Sequence, residues 1–212
     1  MPKVRVQCFI DGFNIYHAID NLRKPHLKWF DLTKLMANFI DPNTHEIVDI
    51  FYFSAYASWI PGAAVRHEQF VRANEALGVK AIMSQFKPKD RRCKHCKAEW
   101  IAHEEKETDV KIAVSMVRNA HLNLFDEAFL VSRDSDLTSA VALTLHDFPE
   151  KKVKIISPPN SGHSKEIGKI VKKRGKLASI KEIHLERCLL PEIVSIDGVQ
   201  VAVRPAQYAP PK

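Results

Sequence analysis

No stretch of this sequence approaches the roughly 18 consecutive apolar residues that a bilayer-spanning helix requires, so no membrane partner is expected. Cysteine is scarce: 4 residues in 212 are too few for a disulfide scaffold. In a reducing cytosol they stay as thiols or bind metal. There is no internal repeat and no low-complexity linker. Residues 1–6 run directly into a strand-like segment without the pattern of a signal peptide, which makes a cytoplasmic protein the expectation. With 45% hydrophobic and 27% charged residues the composition is that of an ordinary globular chain, and the length suits one domain.

What the sequence has in excess is positive charge, a net +7, and it is unevenly placed. Residues 151–176 carry nine Lys/Arg against the single acid Glu166, and residues 87–97 carry six against Asp90. The remainder holds 17 basic and 23 acidic residues, a net −6. Two basic stretches on an acidic body suit an anion such as nucleic acid held at particular places. They would equally serve as solvated faces that keep the protein in solution.

Residues 4–10 form a short apolar, β-branched run that stops at Asp11-Gly12, a buried strand followed by a turn. Helical spacing returns from Asn14 and over 31–40, where Asp31 is a plausible cap. Strands are expected at 47–56, 79–86, 127–132 and 153–156, with a last short one at 178–184. Helices are expected at 61–77, around Val110 to Ala120, at 137–145 and at 164–173, and residues 204–212 read as a loose proline-containing tail. This alternation specifies an α/β fold, a three-layer α/β/α sandwich around a mostly parallel sheet, because parallel neighbours need crossover connections.

Ligands bind such sheets outside the carboxyl ends of the strands. Asp11 ends the first strand, Asp134 and Asp136 follow the fourth, and Asp109 opens the helix before it. Each has an ordinary use as well: Asp11 in a turn, Asp109 complementing a helix dipole behind a Thr108 cap, Asp134 as an N-cap. Together they fall on the one edge where ligands bind. Crowded carboxylates repel and call for a proton or a hard cation such as Mg²⁺, which can activate water for attack on a phosphate. Asn14, one turn beyond Asp11, would orient a water or a phosphate oxygen. A haloacid-dehalogenase-like phosphatase would need a D-x-D pair at the first strand, whereas Asp11 is followed by Gly12 and Phe13.

Three segments carry a resemblance. Phe9-Ile10-Asp11-Gly12-Phe13-Asn14-Ile15-Tyr16, Glu105-Lys106-Glu107-Thr108-Asp109-Val110-Lys111 and Leu130-Val131-Ser132-Arg133-Asp134-Ser135-Asp136-Leu137 resemble the signature blocks of NYN domain proteins. These form the branch of the PIN-like nuclease superfamily with the LabA and DUF88 groups. The resemblance implies a PIN-like fold over residues 1–184, with a basic insertion at 87–103 and a C-terminal extension over 185–212. It also implies metal-dependent cleavage of RNA. Carried over by position, Asp11, Asp109, Asp134 and Asp136 would hold Mg²⁺ or Mn²⁺ beside Asn14, with Glu105 as an outer ligand. Ser132 and Ser135 would orient the loop. Arg133 stands where many relatives have Gly, and Leu137 where many have Phe. The guanidinium could pair with a carboxylate and displace metal, hold the scissile phosphate, or point to solvent.

Cys93-Lys94-His95-Cys96 is a C-x-x-C knuckle inside the basic insertion, and tetrahedral zinc needs four ligands. His103 is a candidate third ligand, and two chains in a homodimer could share one Zn²⁺. The alternative is a turn with two free thiols. Cys8 and Cys188 are expected in the core. Arg91, Arg92, Arg133, Lys165 and Lys169 are candidate contacts to RNA. Trp59, Trp100 and Phe86 are candidates for stacking on unpaired bases, which favours a single-stranded partner, although burial is the commoner use of such aromatics. Two functions remain: a divalent-metal-dependent ribonuclease, and a non-catalytic RNA-binding or regulatory module that retains the nuclease fold.

Overall fold

The computed structural model describes residues 2–171 and 175–211. A seven-stranded sheet runs in the order β4-β3-β2-β1-β5-β6-β7. Its strands are β1 (Val4–Asp11), β2 (His45–Ala55), β3 (Lys80–Arg92), β4 (Glu99–Lys106), β5 (Glu127–Val131), β6 (Lys152–Ser157) and β7 (Gly175–Ser179). All neighbours are parallel except β3 and β4. The period of two along β1 builds the layers. Val6, Cys8 and Ile10 enter one core with Ile15, Leu35, Met36 and Phe70, while Phe9 enters the other with Ile112, Met116, Val141 and Ile167. The first face is therefore covered by α1 (Gly12–Asp20), α2 (Leu32–Ala37) and α3 (Ala63–Glu75), and the second by α4 (Thr108–His121), α5 (Thr138–Asp147) and α6 (Lys165–Val171). The expected α/β/α sandwich is the observed one. No helix among the described residues is long and apolar enough to cross a membrane.

Three segments depart from expectation. The 87–103 stretch is an antiparallel hairpin: β3 continues to Arg92 and β4 returns along it, pairing Phe86 with Glu105 and Arg92 with Glu99. Its charges had hidden a two-strand edge, and such charges suit an exposed edge strand. The expected last strand at 178–184 ends at Ser179, and α7 (Glu182–Arg187) follows. Helical spacing lets Lys24 pair with both Glu182 and Glu186 while Leu185 enters the core. The extension after residue 184 is stitched down. Cys188 C=O accepts from Asp31 N–H at 2.8 Å, Pro191 C=O accepts from the Trp29 indole at 2.7 Å, and strands β8 (Ile193–Ile196) and β9 (Val199–Val203) form a hairpin against α3. Tyr208, in the tail expected to be loose, is buried. The ends of two expected elements, residues 172–173 of the last long helix and Lys212 of the tail, lie outside the described residues, as does Arg174 of the basic stretch.

Candidate active site at the carboxyl edge of the sheet

Strands β2 and β3 lie to one side of β1, and β5, β6 and β7 to the other, so the chain reverses direction between β1 and β5. The crevice at that reversal is where open parallel sheets bind ligands. The register pairs Ile10 with Val131, which sets Asp11 beside Ser132 as each strand ends. Asp11 is buried. Its carboxylate caps α1 by accepting from Asn14 N–H at 3.0 Å and also accepts from the Asn14 amide and from Ser132 Oγ, the latter at 3.0 Å. Burial pushes its pKa up against those donors. Gly12 is needed here for close approach: a Cβ would lie 2.7 Å from the Tyr52 ring and 2.8 Å from the Phe53 carbonyl.

The loop after β5 hangs from the same network. Ser132 Oγ accepts from Asp134 N–H at 3.0 Å, the Asp134 carboxylate accepts from Asp136 N–H at 2.9 Å, and Asn14 Oδ1 accepts from Arg133 N–H at 3.3 Å. The Arg133 side chain is exposed and forms no ion pair among the described residues. The hairpin supplies the remaining pieces. Glu105, near the end of β4, accepts from Thr108 N–H at 3.1 Å and from the Thr108 hydroxyl, which fixes the start of α4 and with it Asp109 in the first turn. Thr108 is thus the capped residue, and Glu105 provides the cap.

Asp109 reports the convergence. Burial first, then the charges of Asp11, Asp134, Glu105 and Asp136, push its carboxyl from 3.8 up to about 6. Asp11, Glu105, Asp109 and Asp134 share one cleft, and Asp136 is exposed on the loop beside it. They are hard oxygen donors with excess negative charge, a set that fits Mg²⁺ or Mn²⁺ in chemistry. In spacing they are open: among the described residues no three acidic, His or Cys side chains stand at metal-holding distance. Asp11, Asp134 and Glu105 are each turned onto a local donor instead.

An acid with a raised folded pKa destabilises the fold as pH rises from its unfolded value, near 3.8, through about 6, and the penalty is complete above that. In metal-free buffer at about pH 8, Asp109→Asn is expected to stabilise the protein by about 1 kcal/mol after allowing for solvent screening, or roughly 2–4 °C in Tm. The difference should vanish at about pH 4, where the acid is protonated in both states. Thermal unfolding at the two pH values checks this, and a variant less stable than wild type at the higher pH contradicts it.

A cleft of about 480 Å³ opens from the acids. Asp11, Asn14, Glu105, Asp109 and Asp134 line one end, and Phe13, Tyr16, Trp59, Phe86 and Tyr208 line the walls with the cations Lys28 and Arg66. Trp59 stacks on His103 with ring centres 4.0 Å apart and meets Phe86 edge-on. Lys28 sits 4.2 Å over the Tyr16 ring. His67 bonds the Tyr52 hydroxyl at 3.0 Å, and burial pushes its pKa down to about 4, so it is neutral at physiological pH. Lys28, Arg66 and Tyr208 carried no sequence signal, being single residues far apart along the chain. Of the sequence candidates, Trp59 and Phe86 line this cleft, whereas Trp100 stands exposed out on the hairpin.

The other candidates are scattered. Arg91 and Arg92 lie roughly 16–20 Å along the hairpin from Phe86, where Arg91 pairs with Glu104 and Arg92 with Glu99 at 3.4 Å. Lys89 and Lys106 also hold Glu104, whose pKa they draw down to about 2. Lys165 and Lys169 are exposed on α6, which lies against the 135–137 turn but outside the cleft. Cys93 and Cys96 occupy the hairpin tip. His103 is removed as their third zinc ligand, because it pairs opposite Pro88 and stacks on Trp59.

The family model for the NYN domain matches residues 5–168, most of the chain and all three acidic segments. The chain belongs to the NYN domain family. Among solved structures, a protein of unknown function from Vibrio parahaemolyticus, VPA0982, is similar at 20% identity with a TM-score of 0.58, over 89% of this chain and 97% of that one. At that identity the likeness shows a shared fold alone. A search of curated proteins finds no match.

Proposed function

We propose that the protein is a divalent-metal-dependent ribonuclease acting on single-stranded RNA. The observation that carries this reading is the gathering of Asp11, Glu105, Asp109 and Asp134 along one aromatic cleft, with Asp136 on the adjoining loop. Asp11, Asp109, Asp134 and Asp136 would hold Mg²⁺ or Mn²⁺, with Glu105 outside them. When bound, the ion supplies charge neutralisation at the phosphate and a more acidic water. Asn14, already bonded to Asp11, positions a water or phosphate oxygen through its amide. Ser132 holds Asp11 and the 132–136 loop together. Trp59, backed by His103, offers a face for an unpaired base. Arg66 receives a phosphate within the cleft, and Arg133, Lys165 and Lys169 receive phosphates around it. Trp59→Ala is expected to weaken RNA binding about 10-fold, since one base stack contributes about 1–3 kcal/mol. Fluorescence anisotropy with a labelled single strand measures it, and unchanged affinity removes Trp59 from the binding face.

Incubation of purified protein with single-stranded RNA and Mn²⁺, against EDTA and a variant lacking Asp134 and Asp136, tests the activity. A second reading, a non-catalytic RNA-binding module, is favoured by the capping bonds that already occupy Asp11, Asp134 and Glu105. It requires salt-sensitive RNA binding with no cleavage under any divalent ion.

A further inference from the structure

The hairpin formed by β3 and β4 projects from the sheet and ends in Cys93 and Cys96, which the proposed reaction does not use. The tip is closely built. Cys93 N–H donates to Ala98 C=O at 2.8 Å, Lys97 N–H donates back to Cys93 C=O at 3.0 Å, and Cys96 N–H points to Cys93 Sγ at 3.5 Å. Lys97 takes a left-handed conformation, φ 61°, that closes the turn behind the second cysteine. An amide N–H directed at sulfur favours the thiolate, the form that binds metal.

We propose that this tip is half of a tetrahedral zinc site and that a second copy of the chain supplies the other half. Zinc held by protein needs three or four ligands, and this chain brings two. Cys8 and Cys188 are buried elsewhere, and His103 lies four residues down β4 from Glu99, roughly 13 Å from the tip. Among the described residues no third ligand gathers there. A second copy meets the need by symmetry, since a two-fold axis through the metal pairs each knuckle with itself. The charges agree. Four thiolates around Zn²⁺ carry a net −2, and Arg92, Lys94 and Lys97 of each copy flank the cysteines in the chain. Trp100, 51% exposed on the strand leaving the knuckle, is apolar surface that the second copy would cover.

The protein, loaded with Zn²⁺ and desalted, is expected to retain about one zinc per two chains and to sediment as a dimer. A chelator should give monomer, and added Zn²⁺ should restore dimer. Co²⁺ in place of zinc should show the visible bands of a tetrahedral tetrathiolate site. Cys93→Ser, Cys96→Ser should lose metal and dimer together while keeping the circular dichroism of wild type. Asp134→Asn, Asp136→Asn should retain both, which separates this site from the acidic cleft. Zinc bound equally by the cysteine variant, one zinc per monomeric chain, or no retained zinc each overturn the proposal.

Discussion

An Asp134→Asn, Asp136→Asn double variant is expected to lose RNA cleavage by about 10³-fold or more, because preorganised charge at a phosphoryl centre is worth that much per site. Both residues sit on the 132–136 loop, and both add to the field that raises Asp109. Asparagine retains the size and an amide oxygen, so the Asp136 N–H to residue 134 bond that orders the loop can persist. RNA binding should fall far less, since the aromatic cleft and its cations are untouched. The same variant should also lose the rise in Tm that Mn²⁺ gives wild type. Cleavage that persists in the variant points to a contaminating nuclease and ends the assignment of these acids.

Gly12→Ala is expected to destabilise the fold by about 3 kcal/mol, at the upper end of overpacking effects. Its backbone conformation is ordinary, and the penalty comes from space. The new Cβ would meet the Tyr52 ring at 2.7 Å and the Phe53 carbonyl at 2.8 Å, and a carbonyl within a parallel strand cannot swing aside as a side chain can. Moving α1 to relieve the clash would carry Asn14 away from Asp11, so metal-stimulated cleavage should fall with stability. Denaturant unfolding reads the first effect through its midpoint. A loss under about 0.5 kcal/mol would mean that β2 yields easily and that Gly12 has no packing role.

The site was legible where its residues carry local signals. Asp11 ends a run of apolar residues, and Asp134 follows another, so the switch-point crevice could be read from two strand ends and the alternation of strand and helix. The pocket walls were not legible. Tyr16, Arg66 and Tyr208 lie on α1, α3 and the C-terminal segment, and nothing in their spacing says that they share a cavity. Tyr208 was the hardest, because prolines around it suggested a free tail, while the indole of Trp29 and the backbone of Asp31 anchor the chain that delivers it. The hairpin was obscured for another reason: Lys87, Lys89, Arg91 and Arg92 break the apolar alternation that marks a strand, and cross-strand pairing with Glu104 and Glu99 supplies the order instead.

From the sequence alone came the parallel α/β architecture, the acids at its carboxyl edge and membership of a family, since each rests on the order and period of residues along the chain. Tertiary structure decided the rest: that Glu105 caps the helix carrying Asp109, that the Arg133 side chain is exposed, and that His103 serves Trp59 rather than the cysteines. Those outcomes depend on which side chains meet across strands and loops distant in sequence. Burial and charge then raise two carboxyls, Asp11 and Asp109, in the same cleft.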